Sequence, residues 1–242
     1  MEFEFWWLLA FPLFFVLGWL AARVDIRQVV TESRALPNSY FRGVNFLLNE
    51  QPDKAIEAFL EVVKLEPETI DLHFALGGLF RRRGEIDRAI RMHENLLERE
   101  GLAEDQRLRA MSELGQDYLK AGLLDRAEQV FGKLLETPQH GLARTYLLEI
   151  YVQEKDWQKA IDAARVLEKD TSKPLNADIA HFHCELALLE AAKGDPDAAS
   201  AHLQQALSAN RQSVRANLMA GDLDAAAGRH EAAIADWRLV ET

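Results

Sequence analysis

The sequence predicts an all-α chain in which an N-terminal transmembrane helix is followed by an array of about six helix pairs. The first observation behind this prediction is an uncharged run of 18 apolar residues at positions 5–22. The second is an alanine that recurs along the remainder of the chain, as Ala55, Ala89, Ala127, Ala160, Ala199 and Ala233. The separations between these alanines are 34, 38, 33, 39 and 34 residues.

The spacing of the alanines is typical of one repeat architecture. A period near 34 residues with helix–turn–helix content indicates the tetratricopeptide repeat (TPR). Residues 71–99 show the pattern most clearly, because Gly77 and Phe80 share one helix face and Gly84 separates them from a second helix around Ala89. One such repeat cannot bury its own apolar face, so we expect the repeats to stack into a TPR α-solenoid over residues 38–242.

The predicted solenoid divides into six repeats that follow a short juxtamembrane tether at residues 23–37. We place the repeats near residues 38–67, 70–100, 107–138, 141–170, 178–210 and 214–242. Extra residues fall near 101–106 and near 171–177, where Lys173 followed by Pro174 predicts a loop. The fourth repeat matches the pattern least well, because Lys155 stands where the other repeats have a turn glycine.

The uncharged run predicts a single-pass anchor within residues 1–22. As a helix it would be about 27 Å long, close to the roughly 30 Å thickness of the hydrocarbon core. A cleaved signal peptide would need a positive N-terminal region, whereas Glu2 and Glu4 precede the run. A buried core helix is the other alternative, and it is disfavoured because the run has no polar face. Arginines follow the run and none precedes it, so the positive-inside rule places the repeats in the cytoplasm.

Composition argues against several classes of function. The net charge is −11, from 28 Lys and Arg against 39 Asp and Glu, which is unlike a nucleic-acid binder. Cys184 is the single cysteine, so neither an intrachain disulfide nor a multi-cysteine zinc site can form. His181 and Cys184 share a helix face, but two ligands fall short of the roughly four that a structural zinc site needs. Since no catalytic motif appears either, we predict no enzyme and no catalytic, cofactor or metal site.

The repeat phase predicts which side chains line the concave surface of the solenoid. In TPR arrays these are the second, fifth, ninth, twelfth and thirteenth residues of each first helix. The resulting candidates for partner binding are Phe74, Arg81, Arg82, Arg109, Gln116, Lys120, Glu149, His181 and Cys184. The four basic members would suit carboxylates on a peptide or protein partner. The alternative, that these are solvated charges on a helix surface, stays open.

Several strings are more specific than generic repeat residues. They include Gly43-Val-Asn-Phe-Leu-Leu48, Leu79-Phe-Arg81, Asp87-Arg-Ala-Ile-Arg91, Asp125-Arg-Ala-Glu128 and Cys184-Glu-Leu-Ala187. Together with the N-terminal run, these strings resemble the lipopolysaccharide assembly protein B (LapB, formerly YciM) family of Gram-negative bacteria. The similarity extends over essentially the whole chain.

This resemblance implies a single-pass inner-membrane protein whose cytoplasmic repeats act as an adaptor. The family restrains lipid A synthesis by promoting proteolysis of the deacetylase LpxC by the membrane protease FtsH. It also contacts a membrane-embedded regulator of lipopolysaccharide. Members normally continue with further repeats and a rubredoxin-like module that carries iron or zinc, which this sequence lacks, so we expect a fragment of a longer protein. The alternative function is a non-proteolytic scaffold for envelope or lipopolysaccharide assembly proteins.

Overall fold

The computed structural model describes residues 12–19, 38–66 and 68–240, and these residues form thirteen helices and no strand. Helix α1 covers residues 12–19. The others are α2 (Asn38–Leu48), α3 (Pro52–Leu65), α4 (Ile70–Arg82), α5 (Ile86–Leu97), α6 (Glu104–Lys120), α7 (Leu124–Leu134), α8 (His140–Glu154), α9 (Trp157–Thr171), α10 (Asn176–Lys193), α11 (Pro196–Ala209), α12 (Val214–Ala226) and α13 (His230–Arg238). The predicted all-α class is confirmed for this part of the chain.

The predicted membrane anchor falls largely outside the residues that the structure describes. Helix α1 lies within it, whereas residues 5–11 and 20–22, together with the predicted tether at 23–37, are not described. Among the described helices, none combines the length and the apolar composition needed to cross a membrane. The single-pass anchor therefore stays a prediction.

The chain forms two compact units, Met1–Leu72 and His73–Thr242, whose boundary falls within α4. In the first unit, α2 packs against α3 around the buried side chains of Ala55 and Phe59. A Cβ atom built on Gly43 would lie 2.4 Å from Cε1 of Phe59, so only glycine permits this approach of the two helices. Pro52 begins α3 and suits its first turn, where the missing N–H has no helical acceptor.

In the second unit, consecutive helices from α5 to α13 pack against one another. A glycine on the first helix of a pair meets a large ring on the second, as the small residues of the sequence pattern predict. A Cβ atom on Gly77 would lie 2.3 Å from His93, and one on Gly115 would lie 2.7 Å from Phe131. A Cβ atom on Gly221 would lie 2.4 Å from the Trp237 ring. The helix pairs are therefore held close by shape complementarity.

The turn of the fourth repeat keeps its geometry without a glycine. Gly84 and Gly122 adopt left-handed φ angles of 80° and 73° after the first helices of the second and third repeats. Lys155 adopts the same conformation with φ 58°, and its N–H bonds the carbonyl of Val152. Residues other than glycine adopt this region at a steric cost. Lys155 nevertheless forms the same turn as the glycines, so the fourth repeat keeps the architecture of the others.

Candidate partner-binding groove

Arg81 lies near the end of α4, where a partly buried network connects it to α5 and α6. Its Nη1 donates to Oδ1 of Asp117 at 2.7 Å, and its Nη2 donates to Oε2 of Glu113 at 2.6 Å. The other carboxylate oxygen of Asp117 lies 2.5 Å from Nδ1 of His93, and both of these side chains are fully buried. Burial opposes the charge of Arg81, but the hydrogen bonds and charges of the two carboxylates outweigh it and raise the pKa of Arg81.

The four basic candidates therefore differ in what they can offer a partner. The donors of Arg81 are already bound by internal carboxylates. The guanidinium of Arg109 lies over the ring of Phe74, 4.2 Å from its centroid. Arg82 and Lys120 are exposed, and in the part of the chain that the structure describes they form neither a hydrogen bond nor an ion pair. These two side chains are free to bind a carboxylate.

A polar cavity of about 430 Å³ lies along α6 and α8. It is lined by Arg81, Gln116, Leu119, Lys120, Tyr146, Glu149 and Gln153. Four of the nine predicted groove residues, Arg81, Gln116, Lys120 and Glu149, thus meet at one cavity. We call it the α6–α8 groove. Its lining combines one free ammonium group with amides and a carboxylate, which can bind a polar or acidic peptide segment.

Tyr146 lines this groove although the repeat rule does not select it. Its ring stacks on Phe131 with centroids 4.8 Å apart and an interplanar angle of 18°. Counted from the predicted start of the fourth repeat at residue 141, Tyr146 is the sixth residue, next to the groove position at Thr145. Burial raises the pKa of Tyr146. The sequence signal that could have predicted Tyr146 as a groove residue is its position next to a predicted groove residue, Thr145.

The other five candidates lie outside the lining of this groove: Arg82 and Arg109, described above, and Phe74, Cys184 and His181. Phe74 and Cys184 are 4% and 0% exposed, so both lie below the surface and cannot touch a partner in this conformation. Burial also raises the pKa of the Cys184 thiol. His181 is exposed on α10 and is not part of the α6–α8 groove. Its Nδ1 lies 2.8 Å from Nη1 of Arg215, which also pairs with Glu185.

Within the described residues, no three His, Cys, Asp or Glu side chains are arranged to hold a metal ion. The helix pairs and their groove can instead be compared with known repeat proteins. Residues 42–101, 112–174 and 184–238 match the family model described as tetratricopeptide repeat. The chain belongs to the tetratricopeptide repeat family.

Two curated relatives are similar over nearly the whole chain. Lipopolysaccharide assembly protein B of Escherichia coli K12 is 41% identical over 234 residues, which are 96% of this chain and 60% of that protein. The protein of the same name from Haemophilus influenzae is 34% identical over 236 residues, which are 93% of this chain and 59% of that protein. The resemblance seen in the sequence is confirmed, and the chain spans about 60% of the length of these relatives.

Solved structures show the same TPR fold at lower identity. A tetratricopeptide repeat protein from Parabacteroides merdae has a TM-score of 0.52 at 19% identity, with 82% of this chain and 75% of that chain covered. The C-terminal part of a TPR repeat-containing protein from Cytophaga hutchinsonii has a TM-score of 0.55 at 17% identity, with 77% and 73% covered. These similarities concern the fold alone.

Proposed function

We propose that this chain is a membrane-anchored TPR adaptor that regulates lipopolysaccharide (lipid A) synthesis by promoting proteolysis of LpxC by FtsH. The observation that carries the proposal is the 41% identity to lipopolysaccharide assembly protein B over 96% of the chain. The name of that relative supports the link to lipopolysaccharide assembly. The proteolytic step and the partners, which include a membrane-embedded lipopolysaccharide regulator, rest on the resemblance of the sequence to this family.

Helix α1 supports the proposed anchor at residues 1–22 in the inner membrane. Six of its large apolar side chains are at least half exposed, namely Leu13, Phe14, Phe15, Val16, Leu17 and Trp19. A helix that is apolar on every side is stable when lipid or protein covers it, because water cannot solvate any of its faces. With arginines only on the C-terminal side of the run, the repeats would face the cytoplasm.

The α6–α8 groove supports the proposed adaptor role, because it offers a place to hold a client protein. The free ammonium of Lys120 would bind a carboxylate, and the amide of Gln116 would bind a peptide group beside it. The buried contacts of Arg81 with Asp117 fix α4 against α6 before any partner arrives. A groove fixed in this way loses little conformational entropy on binding.

The test replaces Lys120 by glutamate and compares it with Lys133→Glu, an exposed lysine on α7 that has no ion pair in the described structure. The variants are produced in cells that lack the native protein, and the half-life of LpxC is measured. We expect Lys120→Glu to lengthen the half-life while Lys133→Glu leaves it unchanged. Photocrosslinking from positions 82 and 120, with and without residues 1–22, would identify the partner. The proposal fails if removing the protein altogether leaves the half-life of LpxC unchanged.

A non-proteolytic scaffold is the second candidate, and the word "assembly" in the name of the relatives favours it. Such a scaffold would hold envelope or lipopolysaccharide assembly proteins together at the membrane without delivering any of them to a protease. An unchanged LpxC half-life, combined with loss of co-purifying envelope enzymes in the Lys120→Glu variant, would favour this function.

A further inference from the structure

A second cavity, separate from the α6–α8 groove in its lining residues, lies on α8 and α9 next to the end of α7. Its volume is about 380 Å³. Apolar side chains supply most of its lining, from Leu135, Leu147, Tyr151, Ala163 and Val166. We call it the α8–α9 pocket. Its size falls at the lower end of the roughly 300–1,000 Å³ that is usual for ligand sites.

The pocket has a buried floor and an accessible rim. Leu147 is 5% exposed and belongs to the core, whereas Val166 is 41% exposed. Ala163, on α9, also lines the pocket, and its small side chain leaves space for an incoming group. Arg144, also in the lining, is neutralised by an ion pair with Asp170. The pocket can therefore accept an apolar side chain from outside the protein.

Carboxylates surround Lys159, a further residue of the pocket lining. Its Nζ lies 3.4 Å from Oδ2 of Asp156 and 3.6 Å from Oε1 of Glu128. The side chain of Glu154 forms no hydrogen bond or ion pair among the described residues. Burial, and then the charges of Glu128, Asp125 and Asp156, raise the pKa of Glu154 against the opposing charge of Lys159. Two carboxylates thus pair with the Lys159 ammonium, and Glu154 and Asp125 line a neighbouring cavity.

The acidic cluster is continuous with the pocket. The Lys159 ammonium lies 5.1 Å from the centroid of the Tyr151 ring, which is part of the lining. Asp162 adds a further carboxylate to that lining. Arg126 borders a neighbouring cavity together with Asp125 and Glu154, and its guanidinium lies 5.7 Å from the centroid of Tyr118. Even with Arg126 counted, negative charge remains in excess beside the apolar cavity.

We propose that the α8–α9 pocket is a docking site for a basic, amphipathic segment of a protein partner. The segment would insert an apolar side chain over Leu147 and place Lys or Arg side chains beside Glu128 and Glu154. Charge complementarity selects this occupant, because the excess carboxylates would repel an acidic segment and an anionic lipid surface alike. The apolar contact with Leu147 would anchor the segment in one position, which long-range charge attraction alone cannot do. Its partner chemistry is opposite in sign to that of the α6–α8 groove, so the two sites would hold different segments.

The test uses two synthetic helical peptides of equal length and identical apolar face, one with lysines and the other with glutamates on the polar face. Each carries a benzophenone at its central apolar position and a fluorophore at one end. Binding to the full chain in nanodiscs of zwitterionic lipid is measured by fluorescence anisotropy at several salt concentrations. Empty nanodiscs supply the background from binding to lipid.

Three variants distinguish peptide binding in the pocket from nonspecific electrostatic binding to an acidic protein. Val166→Arg places a charge at the rim, and Ala163→Leu fills the pocket while remaining apolar. A double variant, Glu128→Gln with Glu154→Gln, removes two flanking charges. Its matched control, Glu98→Gln with Glu100→Gln, removes the same charge from exposed positions after α5.

We expect the lysine peptide to bind, and its benzophenone to crosslink to Leu135 or within residues 144–166. Val166→Arg and Ala163→Leu should each weaken binding about tenfold, as expected for loss of a central anchor. The flank variant should weaken it several-fold and reduce its salt dependence, whereas the control variant should do neither. Equal binding of the two peptides, crosslinks outside Leu135 and residues 144–166, or undiminished binding to Ala163→Leu would each overturn the proposal.

Discussion

Replacement of Gly77 by alanine tests how rigidly the second helix pair is packed. The added Cβ atom would lie 2.3 Å from Nε2 and 2.4 Å from Cε1 of His93. The ring cannot easily retreat, because it is fully buried and its Nδ1 lies 2.5 Å from Asp117. The adjacent Gly78 is a matched control, since a Cβ atom there would meet nothing within 4 Å.

The two substitutions should change stability in opposite directions. In a helix, alanine is more favourable than glycine by about 0.5–1 kcal/mol. Gly78→Ala should therefore raise the free energy of unfolding by that amount. Gly77→Ala gains the same helix propensity, but overpacking costs about 1–3 kcal/mol and a weakened buried hydrogen bond about 1–3 kcal/mol more. We expect a net loss of about 3 kcal/mol for Gly77→Ala.

Hydrogen exchange of the full chain, read out by mass spectrometry, measures the local free energy of opening. Peptides from α4 and α5 should exchange faster in Gly77→Ala and more slowly in Gly78→Ala than in the original chain. Equal exchange in the two variants would refute the reasoning, because it would mean that His93 moves away at no cost.

Three further substitutions have defined expected outcomes. Asp117→Asn should lower the free energy of unfolding by about 3 kcal/mol in a urea titration, because the partly buried charge of Arg81 would lose the fully buried one of its two carboxylate partners. His183 is buried, and burial, followed by the charges of His202 and Arg165, lowers its pKa to about 4 from a usual value of 6.5. The unfolded chain therefore binds a proton more readily, so up to about 3 kcal/mol of stability is present above pH 6.5 and is lost as the pH falls towards 4. His183→Leu should flatten that dependence in thermal unfolding measured across this pH range. Asp195→Ala should cost about 1 kcal/mol and speed hydrogen exchange at the start of α11, because the Asp195 carboxylate accepts a hydrogen bond from the N–H of Ala198.

Matched controls accompany these variants. Glu113→Gln should cost less than Asp117→Asn, because Glu113 is 25% exposed and Asp117 is fully buried. His140→Leu alters an exposed histidine and should leave the pH dependence unchanged. Asp197→Ala lies inside α11 and accepts no capping bond, so its effect should be smaller than that of Asp195→Ala. If a control changed stability or its pH dependence as much as the variant it accompanies, the explanation given for that variant would be contradicted.

The helix pairs were predictable because a helix places side chains by a fixed rotation per residue. The same rotation selected Gln116, Lys120 and Glu149 as groove residues, and the structure places all three in the lining of one cavity. The rotation alone could not predict how deeply a side chain is buried, because burial depends on which other residues pack over it. For this reason Phe74 and Cys184 follow the groove pattern and are nevertheless buried.

Contacts between repeats were the second gap in the sequence-based prediction. The partners of Arg81 are 32 and 36 residues away, and nothing local marks them as carboxylates that would bind its guanidinium. The α8–α9 pocket was missed for a related reason. Its lining combines Leu135, which follows α7, with residues of α8 and α9, so it follows no single repeat phase.

The buried network around Asp117 limits how this array can be rearranged. Repeat proteins are often regarded as modules that can be deleted, duplicated or exchanged one at a time. Here a boundary placed between α5 and α6 would separate Asp117 from both His93 and Arg81. One fragment would keep Arg81 and His93 without Asp117, and the other would keep Asp117 without either of them. Helices α4 to α6 should therefore be transferred together in chimaeras, as one inseparable block of the array.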